Sequence, residues 1–279
     1  MIWGMTHGGW MSGLTEGAKD RYRAQLELLA EHGLHATGWG AKELMAMEPA
    51  RREEIAGWLA KFDIHVSLGV NLDYFSRDPD VLKRDTDEAT KAVEALAKPM
   101  RATFCTTGVP RNYHHYSRDL PVAKQIDILS KAMAPLAKAC AAAGAPLAIH
   151  TVCHFGEDFA EICRRTPGLG LLFDTANCFL IGEPPLLAAE ACAPYIVGTH
   201  FKDSYVRPSF NPLGIVARGA VLGQGDANLR EIYKIVMQKT PHAQDLVMEM
   251  EIDPVDDDNG QHRDPREVLR ECAAFVKSL

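Results

Sequence analysis

The chain has no C-x-x-C pair among its seven cysteines, which excludes paired-thiol zinc and redox motifs, and their odd number argues against a disulfide framework. Several sit inside apolar helical or strand patterns, so they read as reduced core thiols of a cytoplasmic protein. Cationic excess is also missing. The 30 Lys and Arg stand against 37 Asp and Glu, a net charge of −7, which disfavours nucleic acid as a main partner. No stretch approaches the roughly 18 apolar residues of a membrane span, and no basic segment with a long apolar run opens the chain. Phosphate loops of the GxxxxGK(S/T) or GxGxxG kind do not follow any strand pattern, so a nucleotide cofactor is not expected.

What is present is one unit repeated. A short apolar run followed by a helical pattern recurs eight times over 279 residues, roughly 35 residues per unit, the spacing of a (β/α)8 barrel. The expected fold is therefore α/β, a single TIM-barrel domain over residues 1–279, with its site at the C-terminal ends of the strands. The strand patterns are Ile2 to Met5, Leu34 to Trp39, Ile64 to Val70, Met100 to Cys105, Pro146 to Ile149, Leu169 to Phe173, Tyr195 to Val197 and Asp245 to Met248. Helix starts are marked by Asp78-Pro79, by Asn228 with Glu231 and by Asp264-Pro265 with Glu267; Gly33 and Gly144 mark stops. Residues 204–223 read as an extra loop.

Four of these strands end in residues that bind metals. His150, Asp174, His200 and Glu249 close consecutive apolar runs, and a barrel brings such ends to one face. Singly, each has an ordinary structural reading. Together they offer two imidazoles and two carboxylates around one divalent ion, a neutral set favouring Mn2+ first, then Co2+, Fe2+ or Zn2+. Glu251 shares a face with Glu249, being two residues on. Lys202 and His154 stand near by in sequence. In the strand-end loops, His7, Trp10, Trp39, Tyr74, Arg111, Arg207 and Gln224 are candidate substrate contacts.

At His200-Phe201-Lys202-Asp203, Phe173-Asp174-Thr175-Ala176-Asn177 and Gly223-Gln224-Gly225-Asp226 the sequence resembles the xylose-isomerase-like barrels. That superfamily includes sugar and sugar-phosphate isomerases, epimerases, inosose dehydratases and endonuclease IV. The resemblance implies a metal held by strand-end residues matching Asp174, His200 and Glu249. It implies a glutamate where this chain has His150, and an acid–base pair of two glutamates in the epimerases. It also implies a small carbohydrate-like substrate and dimers or tetramers.

The chemistry these residues suit is proton removal beside a carbonyl, giving an enediolate. Glu249 would serve as ligand and base, or Glu251 as base. His150 or His154, with an ordinary pKa of about 6.5, would supply the second proton. Isomerisation or epimerisation of a sugar or hydroxy-carbonyl substrate is the leading expectation. Elimination from a keto-sugar, keto-inositol or 3-keto-glycoside is the alternative, ahead of DNA repair or a non-catalytic sugar-binding barrel.

Overall fold

Apolar runs become strands here, and the polar residues that end them collect at one rim. The computed structural model describes residues 1–6, 8–209 and 214–279. The strands are β1 (Ile2–Met5), β2 (Ala36–Gly40), β3 (His65–Gly69), β4 (Ala102–Thr107), β5 (Leu147–His150), β6 (Leu169–Asp174), β7 (Ile196–Phe201), β8 (Ser204–Pro208), β9 (Ile215–Gly219) and β10 (Val247–Met250). Among the described residues, all but β8 and β9 form one parallel sheet, ordered β1-β10-β7-β6-β5-β4-β3-β2. The sheet curls into a nearly closed eight-stranded barrel. At the seam the His35 N–H donates to Trp3 O at 2.6 Å. Gly4 is required there, because a Cβ on it would lie 2.3 Å from Ala36 O.

Helices cover the outside: α1 (Arg21–Glu31), α2 (Ala41–Met45), α3 (Pro49–Phe62), α4 (Pro79–Leu96), α5 (Val122–Ala142), α6 (Gly156–Arg165), α7 (Pro185–Cys192), α8 (Leu229–Lys239) and α9 (Pro265–Val276). Asp78 and Asp264 cap α4 and α9 by accepting the N–H of Asp80 and Arg266. Asn228 does not cap α8 with its side chain; it sits at φ 58, in the left-handed region, with no side-chain cap bond. Two elements differ from the sequence reading. The short helix α2 follows β2 directly, and residues 204–223 contain an antiparallel hairpin, β8 paired with β9, rather than a plain loop.

The main core lies between barrel and helices, where Leu26, Ile55, Val93, Leu129, Phe201, Met248 and Met250 are buried. A second, smaller cluster of Ala36, Phe104, Ala148, Leu172 and Val247 plugs the barrel interior. Gly198 makes room for the Phe104 ring, which a Cβ would meet at 2.7 Å. Strand alternation then stacks polar residues above the plug: Glu249 and Glu251 follow Val247 on the same face, Asp174 follows Leu172, and His150 follows Ala148. All seven cysteines are free, and each is buried except the half-buried Cys153. No helix among the described residues is long and apolar enough to cross a membrane.

Candidate metal centre

The strand register sets the geometry of the rim. Asp174 of β6 pairs with His200 of β7, and His200 with Glu249 of β10. Ligand atoms of His150, Asp174, His200 and Glu251 all lie within 4.8 Å of one another. The His150 and His200 rings meet edge-on, with centroids 4.6 Å apart.

Backbone and side chains of the next residues hold these groups in place. Asp174 Oδ1 accepts the N–H groups of Ala176 and Asn177 at 2.9 and 2.8 Å, and the Asp174 N–H donates to Thr151 Oγ1. That leaves Oδ2 free to face His150 Nε2 at 3.5 Å. Thr175 Oγ1 accepts the Lys202 N–H at 2.8 Å and donates back to Lys202 O, which fixes the strand end carrying the lysine. Lys202 Nζ reaches Glu251 Oε1 at 3.1 Å and Asp253 Oδ2 at 2.9 Å.

Three buried atoms of this cluster have no hydrogen bond: His150 Nε2, Asp174 Oδ2 and His200 Nδ1. His200 Nδ1 is 2.7 Å from Glu251 Oε2, yet the two are not aligned as donor and acceptor. Leaving such atoms unpaired is costly unless something else meets them. Lone pairs converging from two imidazoles and two carboxylates fit a divalent transition ion, with formal charges that cancel.

Burial lowers the pKa of His150, so its ring is a neutral donor. Burial acts the same way on His200, but the carboxylates of Glu251, Glu249 and Asp174 outweigh it and raise that pKa. Glu251 is held well below the usual carboxylate range: burial opposes ionisation, but His200 and Lys202 favour it more. Lys202 is pushed up, Asp174, Glu251 and Asp253 prevailing over burial, and so stays charged.

The cluster differs from the expected ligand set at one member, Glu251 standing where Glu249 was expected. Glu249 lies one layer down the barrel, fully buried, with both oxygens taking the Ser67 hydroxyl at 2.9 and 3.1 Å. Gly38 borders it, leaving space that a side chain would fill. Its Oε2 is 3.7 Å from His200 Nε2, the ring nitrogen on the far side from the cluster. Glu249 therefore sits behind the histidine, and Glu251 takes the position at the rim. Burial raises the Glu249 pKa.

Other candidates are placed elsewhere. His154 is buried in the loop after β5, its Nε2 2.9 Å from Gln125 Oε1, while Gln125 Nε2 donates to His114 O and Leu120 O. It braces the β4 loop and has no access to a substrate proton. Tyr74 is also buried, bonded to Thr107 Oγ1 at 2.9 Å, and is a core residue rather than a contact. Trp39 is turned outward, its Nε1–H donating to Gln25 Oε1. Trp10 is half-buried near His262, with ring centroids 6.4 Å apart. Arg111 and Gln224 are exposed, and Arg207 lies on the hairpin paired with Asp226 at 3.2 Å. His7 falls outside the described residues.

One residue of the motifs has a role that sequence reasoning did not assign. Asp203 is buried and accepts four backbone N–H groups, from Ser204, Gly223, Gly225 and Ala227. A Cβ on Gly225 would lie 2.2 Å from Asp203 Oδ1, and Gly223 has φ 83. The two motifs are thus one device that ties the end of β7 to the loop before α8.

His154 supplies a pH prediction. Burial depresses its pKa to about 4. The folded ring stays neutral while the unfolded one takes a proton near pH 6.5, so this contribution is present above pH 6.5 and is lost as pH falls towards 4. The loss should reach about 3 kcal/mol. Urea melts of wild type and His154→Gln at pH 7 and pH 4.5 check it: the variant should show the shallower pH dependence, and equal slopes would refute it.

Residues 26–272 match the family model described as a xylose isomerase-like TIM barrel. Similar solved structures include a D-psicose 3-epimerase of Clostridium cellulolyticum H10 with D-tagatose, 14% identical with a TM-score of 0.74 over 100% of this chain and 98% of that one. A candidate 3-DHS dehydratase of petrobactin synthesis from Bacillus anthracis is 14% identical with a TM-score of 0.71, covering 99% of each chain. A xylose isomerase-like barrel protein of Mycobacterium smegmatis, in complex with magnesium, is 16% identical with a TM-score of 0.63 over 95% of this chain and 89% of that one. At these identities the likeness is one of fold. No curated protein sequence matches the chain.

Proposed function

The chain belongs to the xylose isomerase-like TIM-barrel family, and from that premise we propose that it is a divalent-metal-dependent isomerase or epimerase of a sugar or hydroxy-carbonyl substrate. The observation that supports this most is the convergence of His150, Asp174, His200 and Glu251, with three buried atoms left unpaired. Mn2+ is the proposed ion, with Co2+, Fe2+ or Zn2+ as substitutes. When bound, such an ion would polarise a carbonyl or hydroxyl oxygen of the substrate as a Lewis acid.

The protein's own groups would manage the proton. Glu251, kept ionised beside His200 and Lys202, takes a proton from the carbon next to the substrate carbonyl. The Lys202 ammonium faces the negative charge of the resulting enediolate. Return of that proton from Glu251 to the neighbouring carbon gives the isomer; a solvent-derived proton delivered from the His150 side to the opposite face, with Glu251 releasing its own to solvent, gives the epimer. Glu249 orients the His200 ring from below, as outer-shell carboxylates do for metal-binding histidines.

Incubation with a panel of ketoses and keto-glycosides in deuterated water tests this reading. Deuterium should enter at a carbon next to the carbonyl, and chelator should stop it. Exchange that survives complete chelation would rule it out. A second reading, elimination from a keto-sugar, keto-inositol or 3-keto-glycoside, is favoured by His150, which removes one carboxylate of a two-glutamate shuttle. Release of water or an aglycone with an enone absorbance would establish elimination in the same assay.

A further inference from the structure

We infer that the cleft between the loops after β3 and β4 holds an acidic group of the substrate, a carboxylate or a phosphate, on Arg77 and Arg118. This rests on the proposed catalytic use of the same end of the barrel, and it narrows the substrate class to anionic sugars or sugar acids.

Among the described residues, arginine after arginine is engaged: Arg21, Arg23, Arg51, Arg84, Arg101, Arg164, Arg165, Arg207, Arg218, Arg263 and Arg270 pair with carboxylates. Arg52, Arg230 and Arg266 donate to carbonyl or hydroxyl oxygens. That is what an acidic chain with carboxylates to spare should show. Arg77, Arg111 and Arg118 are the arginines of the described residues with neither an ion pair nor a hydrogen bond, and all three lie in two adjacent strand-end loops.

Their surroundings add a second observation. Arg77 and Arg118 line one cleft of about 790 Å³ with Phe75, Tyr113 and His114. The Phe75 and Tyr113 rings stack at 3.9 Å and 20°, forming a rigid apolar wall. Asp119 is the carboxylate of the lining, so the cleft is net positive in a chain of net charge −7. Arg111, in the same loop, acts electrostatically on Cys153, three residues past His150. A planar guanidinium presents paired donors that match carboxylate and phosphate oxygens, and an aromatic wall suits the apolar face of a sugar ring.

Isothermal titration of metal-loaded wild type and the Arg77→Gln/Arg118→Gln double variant tests this, with inorganic phosphate, D-glucuronate and neutral D-glucose as probes. The wild type should bind at least one anion saturably and bind D-glucose no better. The double variant should weaken anion binding about tenfold or more while its metal content stays the same. Phosphate alone would indicate a phosphorylated substrate, and D-glucuronate alone a sugar acid. Equal anion affinity in wild type and variant, or no saturable anion binding, would overturn the inference. Metal-replete protein blind to anions defeats this cleft alone, whereas protein that binds the anions but takes up no divalent metal defeats the proposed metal chemistry alone.

Discussion

Glu251→Gln protein is expected to bind Mn2+ at least ~100-fold more weakly than wild type, beyond the usual outer-shell loss, and to lose on the order of 10³ in kcat/KM. Glu251 brings a charged oxygen to the point where His150, Asp174 and His200 converge, and the amide supplies neither that charge nor a base. Glu249→Gln should behave differently. Its amide can still meet the Ser67 hydroxyl, so the barrel interior stays filled, and what is lost is the charge behind His200. Metal affinity should then fall by about 10-fold, as for other outer-shell partners, with fold stability little changed. Competition against a chromophoric chelator measures both variants on one scale. Metal binding lost in Glu249→Gln but kept in Glu251→Gln would reverse the assignment of the two glutamates.

The other large effect expected is on stability. Asp203→Ala should cost about 3–5 kcal/mol, because the four backbone N–H groups of Ser204, Gly223, Gly225 and Ala227 lose their acceptor at once. A fall in melting temperature on the order of 10 °C should accompany it. Asp203→Asn keeps one carbonyl acceptor and should lose less. The comparison separates fastening from catalysis: both variants should retain metal when folded at low temperature. A Asp203→Ala melting curve that overlays wild type would show that the loop before α8 does not depend on this carboxylate.

Much of the barrel was readable from residue order alone, since buried parallel strands are short apolar runs and four of them end in residues that bind metals. His150, Asp174 and His200 were found by that rule, and the structure places them together. The choice between Glu249 and Glu251 was not readable, because residues two apart on a strand share a face and sequence carries no measure of depth within the barrel. Loop residues were the weakest ground. Tyr74 and His154 lie in segments without periodicity, so their burial left no pattern to detect. The hairpin of β8 and β9 escaped because Arg207, Pro208 and Arg218 interrupt its apolar residues, as exposed strands allow. Asp203 was visible as part of a motif, but four backbone N–H groups meeting one carboxylate have no counterpart in residue order.

A crystal grown with Mn2+ and measured for anomalous scattering tests the central claim most directly. The strongest peak should lie between His150 Nε2, Asp174 Oδ2, His200 Nδ1 and a Glu251 oxygen, within bonding distance of each. A peak on Glu249 beside Ser67, or none at the mouth of the barrel, would contradict it.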